Sequence, residues 1–434
     1  MSINKDIPEL LNAGVISEQT ADKIRGYYKS KDVTPPKTSV LNYRLMVVFG
    51  ILGAILIGLG IILIIAHNWD ELSRGTKTCL AFLPLLTGQG LCLYTLLKKE
   101  NSMAWVESSS TFLFFAVGAC IALVSQVYNI SGDGTSFILA WILLCLPVMY
   151  VMRSSTASLL YLIGITYFVS MTGYKKSPDL KTYIFWPLLF AAIPYYYMLY
   201  KRSPFGNFTG LHNWFIPVSL FIGLNSLILN NSDNIIAISY VGIAGIFYML
   251  GNTPAFKDLK VRNNGPLVLG SLGTVIILFT LSFDNFWNSL IRTNYVLNEL
   301  MSEQTFYITI IIGILYLALL VYQIRKRSLK EMHAIEPIFL LFIMIFIIGL
   351  YSNASVILIN ILILFIGVMT VREGAQKDHL GILNYGLFLI CVLISCRFFD
   401  TDISFVLRGV LFVLIGLGFL LTNYWMVKIK RKNG

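Results

Sequence analysis

Long apolar runs alternate with short polar breaks along nearly the whole chain. Uncharged apolar runs of roughly 17–25 residues have the length of an α-helix that crosses a bilayer. Reading the breaks as loops predicts about fourteen such helices. They centre on residues 45–66, 77–97, 108–128, 136–152, 155–171, 182–200 and 213–229. The series continues through 234–250, 265–282, 304–323, 336–350, 352–370, 379–396 and 404–426. Several are short or closely joined, so the number can shift by about two.

The start of the chain has another pattern. Ile7, Leu10 and Leu11 share one helical face, Gly14 ends that helix, and Ser17 caps a second running through Ala21, Ile24, Tyr27 and Tyr28. Residues 1–34 are therefore expected to form a cytosolic helical hairpin. It is too small to hold a core alone, so it should dock on the membrane body or on a protein partner. Residues 35–44, stiffened by Pro35–Pro36, form a linker, and 45–434 form the transmembrane domain. The expected fold is all-α: a polytopic transmembrane helical bundle. Nothing in the polar first 40 residues reads as a cleavable signal peptide.

Composition supports the membrane assignment. Hydrophobic residues make up 56% of the chain, charged residues 13%, and the mean hydropathy is +0.74. A soluble domain carries about 25% charged residues, so this chain lacks the polar side chains to wet a globular surface. The formal charge of +11 is a topology signal. With the N-terminus inside, the outer loops hold only Arg74, Lys77, Lys175, Lys176, Lys181, Arg292 and Arg397, while Asp and Glu divide more evenly. Concentrated inner Lys and Arg place both termini in the cytoplasm. The clusters 325-RKR-327 and 428-KIKRK-432 adjoin spans, so anionic membrane lipids are their expected partners and nucleic acid is not.

Polar residues gather at the outer ends of the spans. His67, Asn68, Trp69, Asp70 and Glu71 close the first span and combine an imidazole, an amide, an indole and two carboxylates. They read equally as a helix cap with an aromatic anchor and as a ligand or proton site. Gln126, Tyr128 and Asp133 form a second group, in which Gln126 is expected to bond to a neighbouring helix. A third holds Arg397, Asp400, Asp402 and Arg408. The outer loop 283–303, with Phe286 and Trp287, is expected to rest as a short helix at headgroup depth.

The span interiors carry amides such as Gln89, Asn225, Asn360 and Asn384 but no charge near their middles, which counts against ion-coupled pumping. No P-loop, HExxH or GxSxG motif is present, so neither an enzyme nor a cofactor is expected. A membrane glycosyltransferase would have to rest on Asp70 and Glu71 without an outer sugar-binding domain.

At 53-GAILIGLGIILIIAHNWDEL-72 and 125-SQVYNISGDG-134 the chain resembles the bacterial membrane proteins called domain of unknown function 2157. The helical hairpin ahead of the first span and the terminal 408-RGVLFVLIGLGFLLTN-423 fit the same family. The resemblance implies a bacterial inner-membrane location and carries no activity. The leading expectation is a transporter or flippase-like carrier of a small or amphipathic envelope solute. The rival is a non-catalytic scaffold or accessory subunit of an envelope complex.

Overall fold

A computed structural model of the chain describes residues 17–31, 69–174, 180–227, 234–293, 304–326, 333 and 335–400, with isolated positions at 7, 11 and 15 and between 409 and 420. Among the described residues every regular element is helical. The chain divides into two compact units, Met1–Cys79 and Leu80–Gly434.

The first unit contains helix α1 (Glu18–Lys31). Ser17 caps it as the sequence implies: its Oγ accepts the Thr20 amide at 3.3 Å and lies 2.8 Å from the Thr20 hydroxyl. Glu18 places a negative charge in the first turn, where the helix dipole favours it. Ala21 is fully buried on the apolar face. Leu10 and Gly14 of the expected companion helix, the expected linker 35–44 and the first expected span lie outside the described residues.

Helix α2 (Arg74–Lys98) begins in that unit, and the second unit then runs through α3 (Met103–Val127), α4 (Gly134–Val151), α5 (Ser155–Gly173), α6 (Phe185–Arg202), α7 (Asn207–Leu224) and α8 (Ile236–Gly251). It continues with α9 (Gly265–Thr280), α10 (Asp284–Thr293), α11 (Gln304–Lys326), α12 (Ile338–Gly349), α13 (Ala354–Gln376) and α14 (Leu380–Asp400). Seven of these, α2 to α5, α11, α13 and α14, are long and apolar enough to cross a membrane, or up to eight if the bent pair α9–α10 is one span. Among the described residues this does not confirm the fourteen that the hydropathy pattern implies. Helix α12 has 12 residues, which at about 1.5 Å each cannot cover a hydrocarbon core of about 30 Å. Helices α6 and α7 reach 18 residues but mix in Lys201 and Arg202, or Asn207, His212 and Asn213. The last expected span is described only at scattered positions.

Cross-helix hydrogen bonds join ends of like parity, as an up-and-down arrangement requires. At one end Tyr195 in the second half of α6 meets Ser155 at the start of α5, and Gln323 of α11 donates to Met249 O of α8. At the other, Asn225 after α7 donates to Gly173 O of α5, and Tyr183 reaches Gln304. Two apolar cores result: one through Phe114, Ile142, Tyr161 and Phe185 of α3–α6, the other through Val241, Leu278, Phe339 and Ile363 of α8–α13.

Polar pairs tie α5 to α7 along their length: Ser158 to His212 at 2.9 Å, Thr166 to Ser219 at 2.5 Å, and Gly173 to Asn225 at 3.0 Å. In an apolar surround such bonds hold helices together where lipid supplies no hydrophobic drive. Close approach does the same for α8 and α9. A Cβ on Gly270 would lie 2.2 Å from the Tyr248 backbone nitrogen. The small residue there serves packing.

Candidate functional site

The most unusual backbone among the described residues is the break between α9 and α10. The two helices are bent by 69° across Leu281, Ser282 and Phe283. Asp284 opens α10 with a carboxylate in its first turn, where the new N-terminus favours it. Breaking a helix frees backbone carbonyls, which within a bilayer need other donors.

Two helices bring those donors, and a third reaches the Ser282 hydroxyl. The indole nitrogen of Trp287 gives its hydrogen to Leu281 O at 2.6 Å. Asn360 of α13 donates through Nδ2 to Ser282 O at 3.1 Å and to Val356 O at 2.7 Å. Arg397, in the last turns of α14, donates from Nη2 to the Ser282 hydroxyl at 3.2 Å, and its guanidinium sits 4.5 Å from the centre of the Phe283 ring. Nearby, Asn353 Nδ2 donates to Asn288 Oδ1 at 2.9 Å. Ser282 and Trp287 are fully buried. Both donor bonds of Asn360 go to carbonyls, which fixes its amide orientation. Its Oδ1 is left buried without a partner among the described residues. A cation, a hydroxyl and an open acceptor thus converge on one helix break, a set able to bind a polar solute.

Sequence reading expected α10 to rest at headgroup depth with Trp287 among lipids. Instead Trp287 turns inward, because its N–H serves the carbonyl freed by the break and its ring finds Phe286 and Phe346, with centroids at 5.2 and 6.3 Å.

The residues singled out from the sequence lie elsewhere. His67, Asn68 and Arg408 are outside the described residues. Trp69, Asp70 and Glu71 form a short 3-10 turn, with both carboxylates exposed and the Lys77 ammonium 5.6 Å from the Trp69 ring centre. Gln126 and Tyr128 are exposed at the end of α3. Asp133 caps α4: Oδ1 accepts the Ser136 amide at 3.1 Å and Oδ2 accepts the Thr135 hydroxyl. These bonds, Ser136 first and Thr135 next, hold its carboxyl below the usual aspartate range.

Further polar clusters, at the opposite helix ends, escaped the sequence reading. Glu107 of α3 accepts the Ser154 hydroxyl at 2.5 Å and the Ser155 and Thr156 amides at 3.0 and 2.8 Å, so one helix caps another. The imidazole of His212 is buried, with Nδ1 2.8 Å from Phe208 O. His333 Nδ1 lies 2.6 Å from Glu373 Oε1, which Lys377 also reaches at 2.7 Å, and Glu336 beside Pro337 is buried. The only trace of these clusters in the sequence is that each acid or imidazole falls within a turn or two of an expected loop.

No curated protein and no solved structure matches the chain. A family model described as "Predicted membrane protein (DUF2157)" matches residues 8–158, from the N-terminal segment to the start of α5, so over that stretch the chain is similar to the membrane proteins of this family.

Proposed function

We propose that the protein is a non-enzymatic carrier of the bacterial inner membrane, with both termini cytoplasmic, that moves a small or amphipathic envelope solute. The observation that carries this reading is the α9–α10 break, where Arg397, Asn360 and Ser282 converge from three elements. Discontinuous helices in membranes are tolerated where they are buried in protein or line a cavity, and carriers use them to present polar groups near mid-bilayer. The guanidinium suits an anionic group on the solute, and the Asn360 acceptor suits a donor. Orientation rests on the Lys and Arg bias of the loops.

Solvent access to the break tests the reading without knowledge of the solute. Ser282→Cys in a cysteine-free background, reconstituted in liposomes, would be probed with a membrane-impermeant maleimide. A carrier exposes position 282 to water from at least one side, although its side chain is buried here. A cysteine at exposed Asn353 reports correct insertion. Labelling at 353 with none at 282 from either side would favour a solidly packed scaffold.

A further inference from the structure

Between the first turns of α3 and α5 the surface opens into a groove of about 550 Å³, lined by Glu107, Ser108, Thr111, Phe112, Phe115 and Thr156. Glu107, Thr111 and Phe115 stand four residues apart, and Ser108 and Phe112 repeat the spacing, so one face of α3 forms the floor. The lining changes character along that face. Polar side chains hold the helix end, and exposed phenylalanines follow one to two turns inward. From Glu107 to Phe115 the helix rises about 12 Å, close to the step from a lipid headgroup to its upper acyl chain. Since α3 is a candidate span, its exposed aromatic side chains meet lipid.

Glu107 decides which headgroup fits. A carboxylate offers about four lone-pair sites. Ser154, Ser155 and Thr156 take three of them, two on Oε2 and one on Oε1, so Oε1 keeps capacity for one more donor. Those bonds also fix the carboxylate in place beforehand. Ser108 and Thr156 line the groove with it. The lining contains one negative charge and no positive charge, which disfavours anionic headgroups and favours an ammonium bearing N–H donors.

We propose that this groove binds one molecule of a zwitterionic glycerophospholipid with a primary ammonium headgroup. The ammonium donates to Glu107, the Ser108 and Thr156 hydroxyls serve the phosphate, and an acyl chain lies over Phe112 and Phe115. The site belongs to the family-matching stretch and stands independently of the carrier reading.

The test is native mass spectrometry of the full chain, released from detergent after exposure to an equimolar mixture of phosphatidylethanolamine, phosphatidylcholine and phosphatidylglycerol. Phosphatidylcholine keeps the charge and loses every N–H, so it isolates the hydrogen bond. The expected result is retention of the ethanolamine lipid over the choline lipid by about fivefold or more. Glu107→Gln should bring the two to parity. Because Glu107 also caps α5, Thr111→Trp provides a second variant that fills the groove and leaves the cap intact; it should lose the retained lipid. Equal retention by the unmodified protein, preference for the glycerol lipid, or a preference surviving in Thr111→Trp would overturn the proposal. Should Glu107→Gln fail to fold, Thr111→Trp alone decides.

Discussion

Trp287 packs directly against Gly349, and no side chain fits between them. A Cβ on Gly349 would fall 2.2 Å from Cζ3 of the indole and 3.3 Å from the Ser355 Cβ. This contact, with the Trp287 bond to Leu281 O, folds α10 back against α12. Gly349→Ala is expected to cost about 1–3 kcal/mol through overpacking, read as a lower midpoint of unfolding in detergent. Gly90→Ala is the matched control. A methyl there meets nothing within 4 Å, so α2 should gain a few tenths to about 1 kcal/mol from better helix propensity. Equal effects at the two positions would refute the close approach.

Asn360 serves Ser282 O across the break. Asn360→Leu keeps the bulk and leaves that carbonyl without its side-chain donor, so stability should fall by about 1–3 kcal/mol. The same variant should raise maleimide labelling at position 282, because a loosened break admits water. A variant as stable as the parent would show that the carbonyl finds another donor.

Asp133 predicts a pH dependence at the start of α4. Its carboxyl is held below the ordinary aspartate value of 3.8 by the Ser136 and Thr135 bonds. A depressed native value means the cap contributes fully above about pH 4 and is lost as pH falls below it. Hydrogen exchange at the Ser136 amide should therefore be flat from neutral pH to about 5 once the intrinsic rate is removed. Protection should drop at lower pH, and Asp133→Asn should remove that drop.

The buried imidazole of His212 gives a different signature. Its Nδ1 faces a carbonyl and so carries the hydrogen of the neutral ring, which leaves Nε2 to accept from the Ser158 hydroxyl. Ser158→Ala should destabilise by about 1–3 kcal/mol by stranding that acceptor between α5 and α7. Nitrogen NMR of the ring should report the Nδ1–H tautomer in the parent. Finding the Nε2–H form would reverse the donor roles.

Orientation is testable on the α12–α13–α14 segment. Cysteines at Tyr351 and Lys377, both exposed and at opposite ends of α13, should react with an impermeant maleimide from the periplasm and the cytoplasm respectively. The reverse pattern would invert the topology drawn from Lys and Arg.

The sequence alone determined the class of this protein. Apolar runs with few charges leave the chain no solvent but lipid, and a backbone in lipid must bond to itself, so helices follow from hydropathy. Ser17 and the alternation of helix directions were legible for the same local reason: caps and spans depend on residues close in sequence. Span lengths were less legible, because hydropathy does not show where a helix stops, and α12 ends after 12 residues. The sites were the least legible. Ser282, Asn360 and Arg397 stand far apart along the chain and meet only because the break after α9 presents a carbonyl that α13 satisfies and a hydroxyl that α14 reaches. Glu107 was not singled out in the sequence, because Ser154, Ser155 and Thr156 reach it only in the fold. Trp287 looked like a headgroup anchor, yet a freed carbonyl and a glycine on another helix drew it inside. Local chemistry selects the elements; which polar groups they bring face to face depends on packing between distant segments, and only the tertiary structure holds that information.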